Sequence, residues 1–339
     1  LRKIWTRCLK NMKKIEFDII RDNSYYDEIN EILAEEEMDS LMKIKYVKYP
    51  DLFHSLEEDG IEPPIIVIGK DRSNERIVGV GACTIFENGI GYLNSFRIRK
   101  EYRNKVKFSE AYKKLIEESR KCRVREIVTT ILEENRPAEK ILTRRRKNMP
   151  IYEFYKNINF YSIKNKNRGS KRVEDSEEIN YENMKISIKK KRNKIYIAED
   201  YKKIYSFFYK IRKIISFFGY PELPEKGEKF DFLYVEITPC EKNKNKSWEK
   251  EYENAIKYIQ KYGFDCKFFM IGTYENSYED SILKKYRTFR YKSRLYRVYY
   301  EEYTDKDMEK TCSENIGYEN TVLRNSLPEK EISFKFWDL

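Results

Sequence analysis

The sequence is poor in the residues from which metal and redox sites are usually built. It has a single histidine, His54, so neither a histidine cluster nor a histidine-based dyad or triad is available within one chain. The simplest interpretation of His54 is a residue in a loop or at the edge of a helix. No cysteine belongs to a Cys-x-x-Cys pair, which argues against a zinc knuckle or a thioredoxin-type site. Scattered thiols fit a reducing compartment, so we expect a cytoplasmic protein without a metal site; the cysteines are Cys8, Cys83, Cys122, Cys240, Cys266 and Cys312.

Glycine, proline and long apolar runs are also scarce. With 12 glycines and 9 prolines in 339 residues, the chain is neither fibrous nor of low complexity. Its most apolar stretch, residues 204–218, is interrupted by Lys210, Arg212 and Lys213 and is shorter than the roughly 20 residues of a membrane span. Residues 1–11 are basic but lack the continuous apolar segment of a signal peptide. We expect a non-native or alternative start there, with Met12 as the natural one, and no association with a membrane.

The chain carries a surplus of positive charge. Its 69 lysines and arginines exceed its 57 acidic residues, which gives a net charge of +12. Because charges of both signs are interspersed, we expect most of this surplus to be solvated surface. The runs RRRK at 144–147 and KKKR at 189–192 are candidates for phosphate contact. A nucleic-acid partner therefore stays an alternative, though not the favoured one.

Apolar periodicity predicts a mixed α/β (α+β) fold in two domains, since 339 residues with 40% hydrophobic content exceed one typical domain. The polar stretch 165–178 lacks an apolar period, so we place a linker at 166–185, between an N-terminal domain at 12–165 and a C-terminal domain at 186–339. The first half should contain strands at 15–20, 65–68, 76–86, 91–98, 127–132 and 158–163, and helices at 25–38, 109–122 and 135–146. The second should contain helices at 201–218, 248–262 and 278–286, and strands at 232–238, 267–272, 290–300 and 332–337.

The two halves repeat the same order of elements. In each, a strand leads through a basic loop to a helix, a second strand, a Glu-Asn pair and a short helix. Asn135 follows Leu93 by 42 residues (135 − 93), and Asn276 follows Leu233 by 43 (276 − 233). A period near 140 residues indicates two related domains rather than a solenoid.

Three segments stand out along this repeated order: SFRIRKEYRNKVKFSEAYKKL, VTTILEENRPAEKIL with NMPIY, and MIGTYENSYEDSILKKYRTFRYKSRLYRVYY. They resemble the GNAT (Gcn5-related N-acetyltransferase) superfamily, and in particular its bacterial tandem members. The resemblance implies two GNAT-like acyl-CoA N-acyltransferase domains in tandem, the C-terminal one degenerate. It also implies acetyl-CoA or another acyl-CoA as co-substrate, and a small-molecule or peptide amine as acceptor.

The resemblance further implies where the cofactor would bind. The pantetheine arm would pair with the strand at 94–98, through Ser95, Phe96, Arg97 and Ile98. The pyrophosphate would bind at the loop that opens the following helix, where backbone N–H groups and the helix dipole favour anions; this assigns Arg103, Asn104, Lys105, Val106, Lys107, Phe108 and Ser109. The glycines usual in that loop are replaced by Asn104, Val106 and Phe108, whose side chains would crowd a pyrophosphate.

Two further positions follow from the same resemblance. Asn135 matches an asparagine that often contacts the cofactor arm, although a helix N-cap is the alternative. The tyrosine that commonly protonates the leaving thiolate falls on Leu142, and on Leu283 in the second half. Tyr152 is therefore the candidate general acid, with Tyr155 beside it, and packing is the alternative for both. The glycine-free loop at 239–247 is expected to be structural or to shape the substrate cleft between the domains.

These features predict an acyl-CoA-dependent N-acyltransferase that acts on an unidentified amine. One alternative is a binding protein that keeps the GNAT fold without catalysis, as the missing glycines and tyrosine suggest. The other is an aminoacyl-tRNA-dependent transferase of the tandem GNAT type, which the positive charge would suit.

Overall fold

The computed structural model describes residues 15–35, 42–103, 108–240 and 248–301. The proposed start at Met12 and the predicted strand at 332–337 lie outside these ranges. The strands are β1 (Ile15–Ile20), β2 (Met42–Lys48), β3 (Ile65–Asp71), β4 (Arg76–Phe86), β5 (Ile90–Ile98), β6 (Glu126–Leu132), β7 (Ile151–Lys164), β8 (Ser176–Tyr181), β9 (Met184–Lys189), β10 (Lys194–Tyr201), β11 (Phe232–Pro239), β12 (Phe268–Tyr274) and β13 (Thr288–Tyr299). The helices are α1 (Tyr26–Ala34), α2 (Leu52–Asp59), α3 (Ser109–Lys121), α4 (Arg136–Leu142), α5 (Lys203–Lys210), α6 (Arg212–Phe217), α7 (Trp248–Ile259) and α8 (Tyr278–Leu283).

Eleven of the described strands form one mixed sheet, and this confirms the predicted fold class. Its order is β1-β3-β4-β5-β6-β13-β7-β12-β11-β9-β8, and a separate two-stranded sheet pairs β2 with β10. Two neighbouring pairs are parallel, β5 with β6 and β11 with β12. Each parallel pair is crossed over by a helix, α3 or α7, as parallel strands require.

Both halves contain the repeated order of elements, but the residues that correspond to one another differ from those aligned in the sequence. In the two parallel pairs Tyr92 lies opposite Val128, and Tyr234 lies opposite Met270. Both members of the second pair follow their counterparts by 142 residues (234 − 92 and 270 − 128). The two Glu-Asn dipeptides are therefore not equivalent: Asn135 corresponds to Ser277, and each of these residues caps its short helix.

The two halves exchange their closing strands. From the sequence, the strand at 158–163 should close the first half; instead β7 pairs with β12 and β13. In turn β13, the last described strand, inserts beside β6 of the first half. The expected position of the strand at 158–163 was therefore wrong, because pairing partners distant in sequence leave no mark on local periodicity.

The two faces of the sheet carry different elements. On one face, which we call the α3 face, α3 packs on the strands of the first half and α7 and α8 pack on those of the second. On the opposite face, the α1 face, α1 and α2 pack on β3 and β4. Over the centre of the α1 face, β10 and the segments around α5 and Leu223 form a further apolar cluster that includes Met42 of β2 and Phe289 of β13.

Several elements were not visible in the sequence pattern. The structure places β8 and the start of β9 inside 166–185, the stretch that we took for a linker, whereas the domain boundaries themselves stay a prediction. The residues of β8, SEEINY, form an edge strand with an alternately exposed face, which explains their low apolar content. Both β2 and α2 were missed, and the predicted helix at 201–218 is divided at Ile211 into α5 and α6. In the part of the chain that the structure describes, no helix is long and apolar enough to cross a bilayer.

Candidate functional site

A wedge opens between β5 and β6 in the middle of the first half. Their parallel pairing runs from Ile90 opposite Glu126 to Tyr92 opposite Val128 and then stops. Both strands continue past that point, β5 to Ile98 and β6 to Leu132. At the tip of the wedge the hydroxyl of Thr129 donates to the Leu93 carbonyl over 2.8 Å. Beyond it, the edge of β5 that faces β6 is released from the ladder, so its backbone can pair with an extended ligand.

A bulge shapes β5 where it borders the wedge. Ser95 has a positive φ of 59°, and the register against β4 shifts between Val80 and Ala82, so that Ser95 and Phe96 together face Gly81. A Cβ on Gly81 would lie 2.6 Å from Cε1 of Phe96, which no real side chain tolerates. Bulges of this kind re-aim a strand and often lie beside functional sites. Gly81 is therefore required for the shape of the wedge, and sequence analysis missed it.

The predicted strand residues of the cofactor site all lie along the wedge or the bulge. The Ser95 hydroxyl donates to Oδ1 of Asn94 over 2.7 Å, and the ring of Phe96 stacks on Tyr112 at 4.6 Å between centroids. Nη1 of Arg97 donates to the Phe96 carbonyl over 2.9 Å, and burial lowers the pKa of its guanidinium. Ile98 pairs with Gly79 of β4.

The phosphate loop is described only at its two flanks. Arg103 is exposed, and its N–H donates to the Lys100 carbonyl over 3.3 Å; Asn104, Lys105, Val106 and Lys107 lie outside the described residues. Phe108 precedes α3, and its ring reaches within 3.8 Å of the position a Cβ on Gly79 would occupy. Ser109 begins α3, and its carbonyl accepts from the Tyr300 hydroxyl at 3.3 Å. Since Gly79 pairs with Ile98, the start of α3 lies close to the end of β5.

Asn135 caps α4. Its Oδ1 accepts from the N–H of Ala138 over 3.3 Å, as an N-cap side chain does. The helix itself is tied to the exchanged strand β13, because Glu139 accepts hydrogen bonds from the Tyr296 hydroxyl at 2.8 Å and from Arg294. Burial raises the pKa of the Glu139 carboxyl, but these two donors outweigh burial and lower it overall. A contact of Asn135 with a cofactor stays a prediction.

The two candidate tyrosines of β7 lie on opposite faces of the sheet. Tyr152 is buried on the α3 face among rings, with centroids 6.3 Å from Tyr112 and 6.4 Å from Tyr296. Burial holds the pKa of Tyr152 well above its usual value. Tyr155 packs instead beside the cluster that contains Tyr92, with the Arg297 guanidinium 4.4 Å from its ring centroid. Catalysis by Tyr152 stays a prediction.

A cavity of about 420 Å³ lies on the α1 face between the two halves. Its floor consists of residues from the five central strands β6, β13, β7, β12 and β11, and its roof consists of β2, β10, α5 and the segment 221–224. Among the lining residues are Tyr46, Thr130, Leu132, Phe160, Tyr196, Phe232, Tyr234, Phe268, Met270, Phe289, Tyr291 and Ser293. A cavity of this size is in the usual range for small-molecule sites.

Tyrosine hydroxyls meet where the cavity approaches the wedge. Tyr92 and Thr130 share a hydrogen bond of 2.7 Å, between the side chains of β5 and β6 at the wedge tip. The rings of Tyr46 and Tyr196 stack at 4.9 Å, and the hydroxyls of Tyr196 and Tyr234 lie 3.3 Å apart. Burial raises the pKa of Tyr92, and raises that of Tyr196 to about 12. These hydroxyls therefore stay protonated at neutral pH and can donate hydrogen bonds. The only sign of them in the sequence was its high tyrosine content.

A second wedge opens between β11 and β12, where pairing stops after Tyr234 opposite Met270. In the described part of β11 there is no bulge like the one in β5, since β11 pairs with β9 without a register shift from Tyr234 to Pro239. The cavity is lined by Thr130 and Leu132, which lie past the last paired residue of β6, but by Phe268 and Met270, which lie within the paired part of β12. The cavity therefore adjoins the open end of the first wedge and the closed end of the second. The loop at 241–247 lies outside the described residues.

The basic run at 189–192 is largely occupied within the molecule. Lys190 lies 3.3 Å from Oδ1 of Asp231, and Lys191 lies 2.5 Å from Oδ1 of Asp59. The run at 144–147 is exposed. Within the ranges that the structure describes, no group of three or more His, Cys, Asp or Glu side chains is arranged to hold a metal ion.

Comparison with known proteins shows what the chain is similar to. Residues 26–146 match the model of the acetyltransferase (GNAT) family. A tandem GNAT protein from the clavulanic acid biosynthesis pathway is 8% identical at a TM-score of 0.44, over 84% of this chain and 98% of that one. A putative acetyltransferase from Pyrococcus horikoshii is 10% identical at a TM-score of 0.39, over 84% of this chain and 90% of that one. A GNAT-family acetyltransferase from Staphylococcus aureus is 14% identical at a TM-score of 0.30, over 44% of this chain and 86% of that one. None of the curated proteins matches the sequence.

Proposed function

We propose, from the premise that residues 26–146 are a GNAT-family acetyltransferase domain, that the chain transfers an acyl group from acyl-CoA to an amine at the first wedge. The observation that carries this proposal is the loss of pairing after Tyr92 and Val128 in two strands that both continue. The cofactor, acetyl-CoA or a longer acyl-CoA, would lie with its pantetheine arm along 94–98 and its pyrophosphate at the start of α3.

In this proposal the two substrates bind on opposite faces of the sheet. The cofactor would approach from the α3 face, where Arg103 and the N-terminus of α3 favour an anion. The amine would approach from the α1 face, where the cavity adjoins the wedge. Fixing both partners on opposite sides of one gap turns a bimolecular reaction into a positioned one.

The reaction moves one proton overall. The amine nitrogen attacks the thioester carbonyl, a C–N bond forms, the C–S bond breaks, and the proton lost by nitrogen balances the one gained by sulfur. A neutral hydroxyl beside the sulfur can supply that proton. Tyr92, at the wedge tip and bonded to Thr130, is the hydroxyl on the cavity side, and Tyr152 is the candidate on the α3 face. Comparing Tyr92→Phe with Tyr152→Phe distinguishes the two candidates. The variant that lacks the proton donor should have a lower kcat and an unchanged affinity for acetyl-CoA.

Titration with acetyl-CoA tests the proposal directly. Saturable binding is expected in a calorimeter, and its absence at millimolar cofactor would remove the proposal. Arg103→Ala should weaken binding roughly tenfold, as the loss of one charge-assisted phosphate contact does. Arg125→Ala is the matched control, since Arg125 is also exposed but follows the C-terminal end of α3, the end opposite to the loop. Equal affinity of the two variants would refute the assignment of the loop.

A non-catalytic binding protein is the second candidate, and one observation favours it. On the α3 face, Phe96, which borders the wedge, stacks on Tyr112, and Phe108, which precedes α3, packs against Phe17. Bulky rings therefore line the route proposed for the cofactor. Turnover with any acyl donor, followed by mass spectrometry of the amide product, would exclude this candidate. An aminoacyl-tRNA donor is not supported by the internal pairing of Lys190 and Lys191.

A further inference from the structure

The cavity between the halves is unusually rich in aromatic side chains. Ten of its 25 lining residues are Phe or Tyr, against 15% aromatic residues in the whole sequence. Their rings are already arranged in pairs, with Phe160 stacked on Tyr291 at 4.6 Å and Phe232 on Phe268 at 5.3 Å. Such walls favour a flat ring, which gains stacking and edge-to-face contacts beyond the burial of its area.

The lining contains one more acidic residue than basic ones. The acidic residues are Glu133, Glu134 and Glu222, and the basic ones are Arg290 and Lys292. Glu133 is already paired with Arg294 at 3.2 Å and with Lys292 at 3.9 Å, so the preference for a cation rests mainly on the aromatic faces. Protonated amines are stabilised both by carboxylates and by the faces of aromatic rings. The floor residues Thr130 and Leu132 lie past the point where β5 and β6 part, so the cavity meets the wedge on the side opposite α3.

We propose that this cavity binds the acceptor, and that the acceptor is an amine carrying an aromatic ring. The ring would lie among Tyr46, Phe160, Tyr196 and Tyr291, while the amine points towards the wedge. The assignment of the ligand as an acceptor rests on the proposed function; binding of an aromatic amine at this place does not. The site is built by both halves, since Tyr46 and Phe160 precede residue 166 and Tyr196 and Tyr291 follow it.

Ser293 gives a way to fill the cavity without replacing any of its aromatic side chains. This small residue lies on the floor, 4% exposed, two positions after Tyr291 on the same strand. Ser293→Leu fills part of the space, and Ser293→Phe fills more, so one of them keeps the test open if the other fails to fold. Ser281→Phe is the matched control, because Ser281 is exposed on α8 on the opposite face of the sheet.

The experiment measures binding in the absence of acetyl-CoA, so its result does not depend on transferase activity. Tryptamine is the aromatic probe, putrescine the polar amine and decanoic acid the apolar chain, each titrated by calorimetry. Saturation-transfer NMR should show the strongest transfer to the indole protons of tryptamine. We expect saturable binding of tryptamine that weakens at least tenfold in the Ser293 variants and is unchanged in Ser281→Phe.

Three results would overturn the proposal. Tryptamine affinity unchanged in a folded Ser293 variant would place the ligand elsewhere. Putrescine binding as tightly as tryptamine would remove the role of the ring. Decanoic acid binding with tryptamine inactive would assign the cavity to an acyl chain. If tryptamine binds as expected but acetyl-CoA does not bind at all, the proposed function fails while the aromatic-amine site stands.

Discussion

Replacing Asp59 by asparagine should destabilise the protein more than the loss of any single surface charge. Asp59 ends α2, and its two carboxylate oxygens contact Lys191 at 2.5 Å and Lys194 at 3.0 Å. All three side chains are buried, at no more than 2% exposure. Removing the carboxylate leaves two ammonium groups without their shared counter-ion away from water. Breaking a buried pair in this way costs about 3–5 kcal/mol.

The same contact makes stability depend on pH in a defined window. Burial alone raises the pKa of the Asp59 carboxyl, but Lys194 and Lys191 outweigh burial and lower it from 3.8 to about 2. Because the folded pKa is lower than the unfolded one, the contribution is present in full above about pH 4 and is lost as the pH falls towards 2. A shift of this size corresponds to roughly 2 kcal/mol. Asp59→Asn should lack this part of the acid sensitivity.

Urea denaturation at pH 7 and between pH 4 and pH 2 measures both effects. Glu253→Gln is the control, because it breaks the more exposed pair with Lys285, whose side chains are 29% and 63% exposed. Such surface pairs are worth less than about 1 kcal/mol. If Asp59→Asn costs no more than Glu253→Gln, the buried carboxylate does not contribute to the free energy of unfolding as expected.

Other predictions concern the wedge and the thiols. Gly81→Ala should cost about 1–3 kcal/mol by overpacking against Phe96 and should also weaken acetyl-CoA binding. Gly60→Ala, whose Cβ would meet the Ile85 carbonyl oxygen at 3.0 Å, should destabilise the protein without affecting this binding. Equal acetyl-CoA affinities of the two variants would contradict the role of the bulge. Cys240 is exposed and should react with a thiol reagent in the native state. Cys83 is buried, and burial raises the pKa of its thiol to about 12, so it should react only on unfolding. Mass spectrometry locates the modified residue, and early modification of Cys83 would show that this part of the core opens.

Much of the fold could be predicted from the sequence because most elements carry their own periodicity. The apolar spacing of α3, for example, placed Ala111, Tyr112, Leu115 and Ile116 on one buried face. The edge strand β8 has no such pattern, since none of its residues is buried on either face. The exchange of β7 and β13 could not be predicted either, because pairing between distant strands depends on the tertiary fold.

The candidate site was predicted less completely than the fold. The sequence pointed to the strand at 95–98 and to Asn135, both on short continuous motifs. Gly81 was missed because its importance comes from Phe96, which faces it from the next strand. The cavity was missed for the same reason: Tyr46 and Tyr291 are 245 residues apart (291 − 46) and meet only in the folded chain.

The exchange of strands has a consequence for the history of this gene. Either half, if deleted, would leave its sister with a gap in the sheet and expose the ladder of β6 or β12 to chance partners. A substitution that unfolds the C-terminal half would therefore also open the sheet of the N-terminal half. The C-terminal half should be retained for this structural reason, whether or not it ever binds a ligand of its own.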